Sequence, residues 1–261
     1  MLITIVSSWV GTNLSHVNKD ERLGEIMDPD STPYWKLPLL SLDTETTGVD
    51  SFTDRVVTCN ITYDYATGVE PKIYDWIINP GVDIPEGASA VHGITNQVAQ
   101  EQGAEPAYAL RNIAEHLNAW ADLRLPIVVY NAPFDLTLLR SEFDRYGIEC
   151  RNPFDRVIDP LVLDKGIDKY RKGSRKLTDT ALHYGIILEN AHSADADSMA
   201  SVLIARAIGE KYEINVPISE VHDTQKLWKA DQAASFEKYL RKSKDPNAVI
   251  SREWPYMTKT A

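Results

Sequence analysis

The stretch at residues 39–48, LLSLDTETTG, sets two acidic side chains at the end of a short apolar run. Leu39, Leu40 and Leu42, bounded by Pro38 and Gly48, predict a buried strand. Residues two apart on a pleated strand point to one face, so Asp43 and Glu45 emerge side by side. Like charges held that close raise each other's pKa unless a cation lies between them, and hard oxygen ligands suit Mg²⁺ or Mn²⁺. Taken alone, the pair also reads as a solvated strand end; further acidic positions along the chain decide between the two.

After this strand, RVVTCNITY at 55–63 and IYDWII at 73–78 are rich in β-branched and aromatic residues and predict antiparallel strands joined by turns. Residues 79–97 read as a long functional loop. Ala109, Ile113, Leu117 and Trp120 share one helical face, and Pro126 opens a further strand, IVVY. That strand runs into NAPFDLTLLRSEFDRYG. There Asn131 is placed to cap a helix, Pro133 suits its first turn, Leu136, Leu139, Phe143 and Tyr146 form the buried seam, and Gly147 ends it.

Asp135 thus falls in the first helical turn, a position the helix dipole alone would favour. Asp197 is more telling. Ala200, Leu203, Ile204, Ala207 and Ile208 predict an amphipathic helix, and Asp197 lies one turn before Ala200 on its core-facing line. A carboxylate pointing inward is costly unless it is paired, neutralised or bound to a metal. His192 precedes this helix in a loop, and residues 221–244 predict a last amphipathic helix with Trp228, Phe236, Tyr239 and Leu240.

The net charge of −11 argues against a protein that coats duplex non-specifically, but not against a nucleic-acid enzyme whose metal ions meet the phosphate. A local run, Lys165, Lys169, Arg171, Lys172, Arg175 and Lys176, is either a solvated face or a rail for phosphates. Cys59 and Cys150 form no C-x-x-C pair, which excludes a thiolate zinc site and predicts free thiols in a reducing interior. No apolar run reaches the length of a membrane span, and the apolar start lacks a basic flank, so a soluble cytoplasmic protein without a membrane partner is expected.

In order, the chain carries DTE on a strand, NAPFD at a strand-to-helix junction and HSADAD before a helix. This set resembles the DEDDh, or DnaQ-like, exonuclease family, which includes the proofreading epsilon subunit of bacterial DNA polymerase III. Asp43 and Glu45 match its first motif; Asn131, Ala132, Phe134 and Asp135 its second; His192, Ala194 and Asp197 its third. VHGIT at 91–95 matches its H-G-I-T loop, and RKLTDTALHYGI at 175–186 resembles the segment before its third motif. Tyr130 stands where the proofreading subunit has histidine. The tail is similar to stand-alone relatives from actinobacteria and their phages, whereas QKLW at 225–228 is a poor clamp-binding peptide and reads as helix surface.

The resemblance implies an α/β, ribonuclease H-like fold: a mixed five-stranded sheet with its first three strands antiparallel, two later strands parallel to the first, and helices on both faces. It spans 38–210, leaving 1–37 as an extension of undisclosed role and 211–261 as a helical tail. It also implies a 3′–5′ exonuclease working by two-metal chemistry, with ions about 3.5–4 Å apart that activate water and stabilise the leaving oxygen. Asp43, Glu45 and Asp197 would hold one Mg²⁺ or Mn²⁺, with Asp43 bridging to a second that Asp135 supports. His192 would take the water proton, as an imidazole titrating near neutrality can. Thr46, His92, Asn131 and Phe134 would contact the last nucleotides, Phe134 by stacking. The expected substrates are single-stranded or frayed DNA 3′ ends, met alone or beside a DNA polymerase. An RNA-trimming exonuclease is the alternative within the family, and a catalytically silent binding subunit the alternative outside it.

Overall fold

The computed structural model describes residues 28–66, 68–187 and 194–259, with side chains from residue 196 in the last of these. His192 lies outside the described residues. The first three strands are β1 (Leu39–Thr46), β2 (Val56–Asp64) and β3 (Lys72–Ile77), followed by α1 (Glu86–His92), α2 (Asn96–Gln102) and α3 (Pro106–Asp122). Then come β4 (Ile127–Val128), α4 (Ala132–Tyr146), β5 (Val157–Ile158), α5 (Pro160–Ile167), α6 (Leu177–His183), α7 (Ala194–Lys211) and α8 (Ile218–Ser243). The sheet order is β3-β2-β1-β4-β5. β1 pairs antiparallel with β2, β2 antiparallel with β3, and β1, β4 and β5 run parallel. This is the mixed five-stranded sheet that the motifs imply.

Alternation along β1 divides the core. Leu40 and Leu42 join one cluster with Ile61, Tyr63 and Trp76 under α3 and α4. Leu39 joins the other, with Ile204, Ala205 and Ile208 of α7 and Ile218 of α8. Ala109, Ile113, Leu117 and Trp120 are buried as their spacing predicts, each of the large ones contributing about 1.5–3 kcal/mol. Asp43 shares the α7 side of the sheet with Leu39, so the strand that builds the core also aims its acidic end at α7.

Three expectations need correction. Residues 79–97 are not an open loop: they hold α1 and the start of α2. No residue of α1 is buried, so no apolar period betrayed it. Leu203 is 40% exposed, because α7 turns Val202, Ile204, Ala205 and Ile208 inward instead, wedged between sheet and flanking helices. Phe236 and Tyr239 are 52% and 56% exposed and stack on each other, since α8 buries Ile218, Val221, Gln225 and Ala233.

Both flanks of the sheet domain are fastened to it. Tyr34 and Leu37 are fully buried, and the Tyr34 hydroxyl donates to the Ala205 carbonyl at 2.9 Å. Arg206 pairs with Asp64 and donates to the Trp35 and Leu37 carbonyls, which ties the chain before β1 to α7. Trp35 lies against Gly209, where a Cβ would come within 2.5 Å of the indole; Trp228 of α8 lies against Gly166, where it would come within 2.2 Å. Among the described residues no helix is long and apolar enough to cross a membrane.

Candidate active site

β1 runs on past the ends of β4 and β5, which stop opposite Ser41, and the acidic side chains collect at this projecting end. Asp43 and Glu45 lie on β1 just before the register shift between Glu45 and Thr46, a bulge of the kind that re-aims side chains beside sites. Thr44, on the opposite side of the strand, reaches α4: its N–H and hydroxyl both donate to Asp135 Oδ1, at 3.1 and 2.6 Å. The first turn of α4 is thereby stitched to β1, and Asp135 is buried. Asp197, half-buried, comes in from the first turn of α7, which packs on β1 and β2.

The electrostatics follow from this crowding. Burial pushes the Asp43 carboxyl well above the usual range, and repulsion from Asp135, Glu45 and Asp197 pushes it further. Asp135 is pushed up to about 7, by burial first, with the two Thr44 hydrogen bonds opposing and Glu45 adding repulsion. The named groups acting on Asp43 are all carboxylates. An all-oxygen acidic donor set of this kind fits a hard divalent cation and not a soft one. The described carboxylates lie within Coulombic reach of one another but are not drawn to the spacing of a formed ligand cage.

Around this centre, His92 ends α1 and Gly93 follows with a positive φ of 78°, which lets the chain turn at once into Thr95, the N-cap of α2. His92 Nδ1 accepts from the Ile94 N–H at 3.1 Å, leaving Nε2 as the protonated nitrogen; Nε2 is buried without a hydrogen bond of normal geometry. Burial holds the ring below the ordinary histidine pKa, against the pull of the Thr46 backbone carbonyl. His92 and Thr46 are therefore neighbours, as the motifs expect. The Thr46 hydroxyl closes a tight turn onto Gly48. Phe134 is half-buried in the first turn of α4.

Asn131 holds the N-cap position but does not cap with its side chain. Its backbone is left-handed, φ 64° and ψ 47°, and Asp159 supplies the acceptors: the N–H groups of Asn131 and Ala132 donate to its two carboxylate oxygens, each at 3.0 Å. Asp159 is fully buried and also caps α5 through the Leu161 and Val162 N–H groups. Its signal in the sequence is Asp159 before Pro160, an aspartate capping a helix start. Gln225, in a stretch whose sequence predicts helix surface, is instead fully buried, accepting from the Asp159 N–H at 2.7 Å and donating to the Val157 carbonyl at 2.9 Å. Tyr130 donates to the Arg175 carbonyl and shares a hydrogen bond with the Thr180 hydroxyl, so it serves as a tether below the second motif.

The basic run is divided by the fold. Arg171 and Arg175 turn inward onto Asp164, which is fully buried and also accepts from the Tyr184 hydroxyl. Burial opposes its charge, and these bonds outweigh burial to hold its carboxyl below the ordinary value. Only Lys169, Lys172 and Lys176 of the run are exposed, so a continuous phosphate rail is not what the run builds. Replacing Arg171 and Arg175 together by methionine will cost about 3–5 kcal/mol, the penalty for stranding a buried charge. Chemical denaturation at pH 7 measures this. A loss below about 1 kcal/mol would return both arginines to a surface role.

The exonuclease profile of the RNase T family matches residues 40–205. An epsilon-like protein of DNA polymerase III from Rhodobacter capsulatus is 30% identical over 174 residues, covering 65% of this chain and 23% of that protein. The 3′-5′ exonuclease DinG of Staphylococcus saprophyticus is 30% identical over 66% of this chain and 18% of its own length. The matched stretch spans about a fifth of the length of each of these two relatives. Exonuclease I of E. coli, solved in complex with a dA16 oligonucleotide, superposes with a TM-score of 0.57 at 21% identity over 68% of this chain and 42% of that one, a likeness of fold. With the profile spanning the sheet and all four acidic positions, the chain belongs to the DnaQ-like exonuclease family.

Proposed function

We propose that this protein is a divalent-metal-dependent 3′–5′ exonuclease that removes nucleotides from single-stranded or frayed 3′ ends of DNA in the cytoplasm. One observation carries the reading: Asp43, Glu45 and Asp197 gather at the end of β1 with Asp135, which Thr44 ties to that strand, and the carboxylates of Asp135, Glu45 and Asp197 are the charges that act on Asp43 among the described residues. Asp43, Glu45 and Asp197 would hold one Mg²⁺ or Mn²⁺, and Asp43 with Asp135 a second. Bound there, the ions supply charge for the attacking and leaving oxygens of phosphodiester hydrolysis. Thr44 holds Asp135 in place by two hydrogen bonds. Thr46, His92, Asn131 and Phe134 orient the terminal nucleotide, Phe134 by stacking on a base. His192 removes the proton from the attacking water.

DNA is favoured because solved neighbours of the same fold are described with DNA oligonucleotides, and the epsilon-like relatives support work beside a polymerase. Purified protein incubated with matched single-stranded DNA, RNA and mismatched primers will degrade the DNA 3′ ends in Mg²⁺ or Mn²⁺ and none of them in EDTA. Full hydrolysis in metal-free buffer would overturn the mechanism. Faster hydrolysis of RNA than of DNA would overturn the substrate.

A further inference from the structure

The segment after α8 returns to the site. Trp254 is buried in the core cluster shared with α3 and α4, and its indole N–H donates to Asp159 Oδ2 at 3.3 Å. The N–H of Met257 donates to Thr137 Oγ1 at 2.8 Å, and Arg140 lies over the Tyr256 ring at 4.1 Å from its centroid. Thr137 and Arg140 follow Asp135 on the second and third turns of α4. Residues 254–257 therefore grip α4 at successive turns, and they lie well beyond the matched stretch of 40–205.

What this grip holds is strained. Asn131 is a non-glycine residue in the left-handed region, a conformation that needs surrounding structure to impose it. The imposing group is the Asp159 carboxylate. Its Oδ1 accepts from Asn131, Leu161 and Val162, and its Oδ2 from Ala132 and Trp254. The indole thus fixes the oxygen that receives the first N–H of α4. If that carboxylate rotates, the turn before α4 relaxes and Asp135 shifts against Thr44.

We propose that residues 254–257 are a positioning strap for the exonuclease site: Trp254, acting through Asp159, and Met257, acting through Thr137, keep Asp135 in register with β1. This rests on the exonuclease reading above. The test compares Trp254→Phe, which keeps an aromatic ring and loses the N–H, with Thr137→Val and Thr137→Ser in the full chain. Two readouts are taken: amide exchange of residues 130–137 against 106–122 in α3, and hydrolysis of an aryl ester of thymidine monophosphate in Mn²⁺.

Trp254→Phe and Thr137→Val will speed exchange in 130–137 but not in α3. They will also lower kcat about ten- to hundredfold with KM within twofold, the scale of a small misplacement. Thr137→Ser, which keeps the hydroxyl, will restore both. Unchanged exchange in 130–137, or an equal rise in α3, would overturn the strap and leave the tail as ordinary core packing; should Trp254→Phe not fold, the Thr137 pair decides. If the unaltered protein fails to hydrolyse the ester, the exonuclease reading falls, while the exchange arm still judges the strap.

Discussion

Asparagine at position 43 will leave the protein folded and without hydrolytic activity. Asp43 is the shared carboxylate of the proposed metal pair, so its loss removes charge stabilisation from both reacting oxygens, and turnover should fall at least about 10³-fold. Stability should move the other way. Asp43 and Asp135 both have folded pKa values above the ordinary carboxylate value, Asp135 reaching about 7. A group that binds its proton more tightly when folded stabilises the fold at low pH and loses that advantage as pH rises. For Asp135 the loss runs from its ordinary 3.8 to about 7. Metal-free wild-type protein therefore carries repulsion at pH 8 that asparagine relieves, and the variant should melt roughly 3–6 °C higher in EDTA, about 1–2 kcal/mol for a domain of this size. Added Mn²⁺ should raise the wild-type melting temperature and barely move the variant. Thermal unfolding with and without metal at pH 5 and pH 8 reads all of this. Retained turnover, or a variant that melts far lower without metal, would make Asp43 a structural residue.

Replacing His192 by alanine should cost about 10²–10⁴-fold in turnover, the usual value of general-base assistance. The motif H-x-A-x-x-D places this histidine five residues before Asp197, and it is proposed as a proton acceptor and not as a ligand. Mn²⁺ affinity measured by calorimetry should therefore match that of the unaltered protein, and so should the KM of a short oligonucleotide. Exogenous imidazole should restore part of the lost rate. Loss of metal binding together with activity would turn His192 into a ligand, and wild-type turnover would remove it from the chemistry.

Much of the architecture was legible because period and motif agreed. Leu39, Leu40 and Leu42 lie in a buried strand, and the face of α3 is the one its spacing gives. Alternation and capping place Asp43 and Glu45 at a strand end and Asp135 and Asp197 at helix starts, while their grouping into one site is what the family resemblance implies. What escaped was long-range satisfaction of polar groups. Gln225 looks like any surface glutamine, yet it answers the backbone of β5, 68 residues away. Asp164 looks like a break in a basic run, yet it draws Arg171 and Arg175 inside. The partner of Gln225 is chosen by where the chain has folded back, and those of Asp164 lie only 7 and 11 residues on but past the end of α5, where no helical period links them. The failure at Phe236 and Tyr239 is different: helical periodicity shows that a face is apolar, not that anything covers it.

The two tryptophans set on glycines bear on how this protein can be recombined. Trp35 precedes the matched stretch of 40–205 and Trp228 follows it, and each fits where α7 and α5 present bare backbone at Gly209 and Gly166. These are lock-and-key fits between the domain and its own flanks. A catalytic core borrowed from another family member would accept these flanks only if it carried both gaps. Any side chain there would place a Cβ 2.2–2.5 Å from indole atoms, so the tryptophan or the helix must move. Recombination among relatives is thus limited by two hydrogen-sized positions, not by the chemistry of the acidic centre.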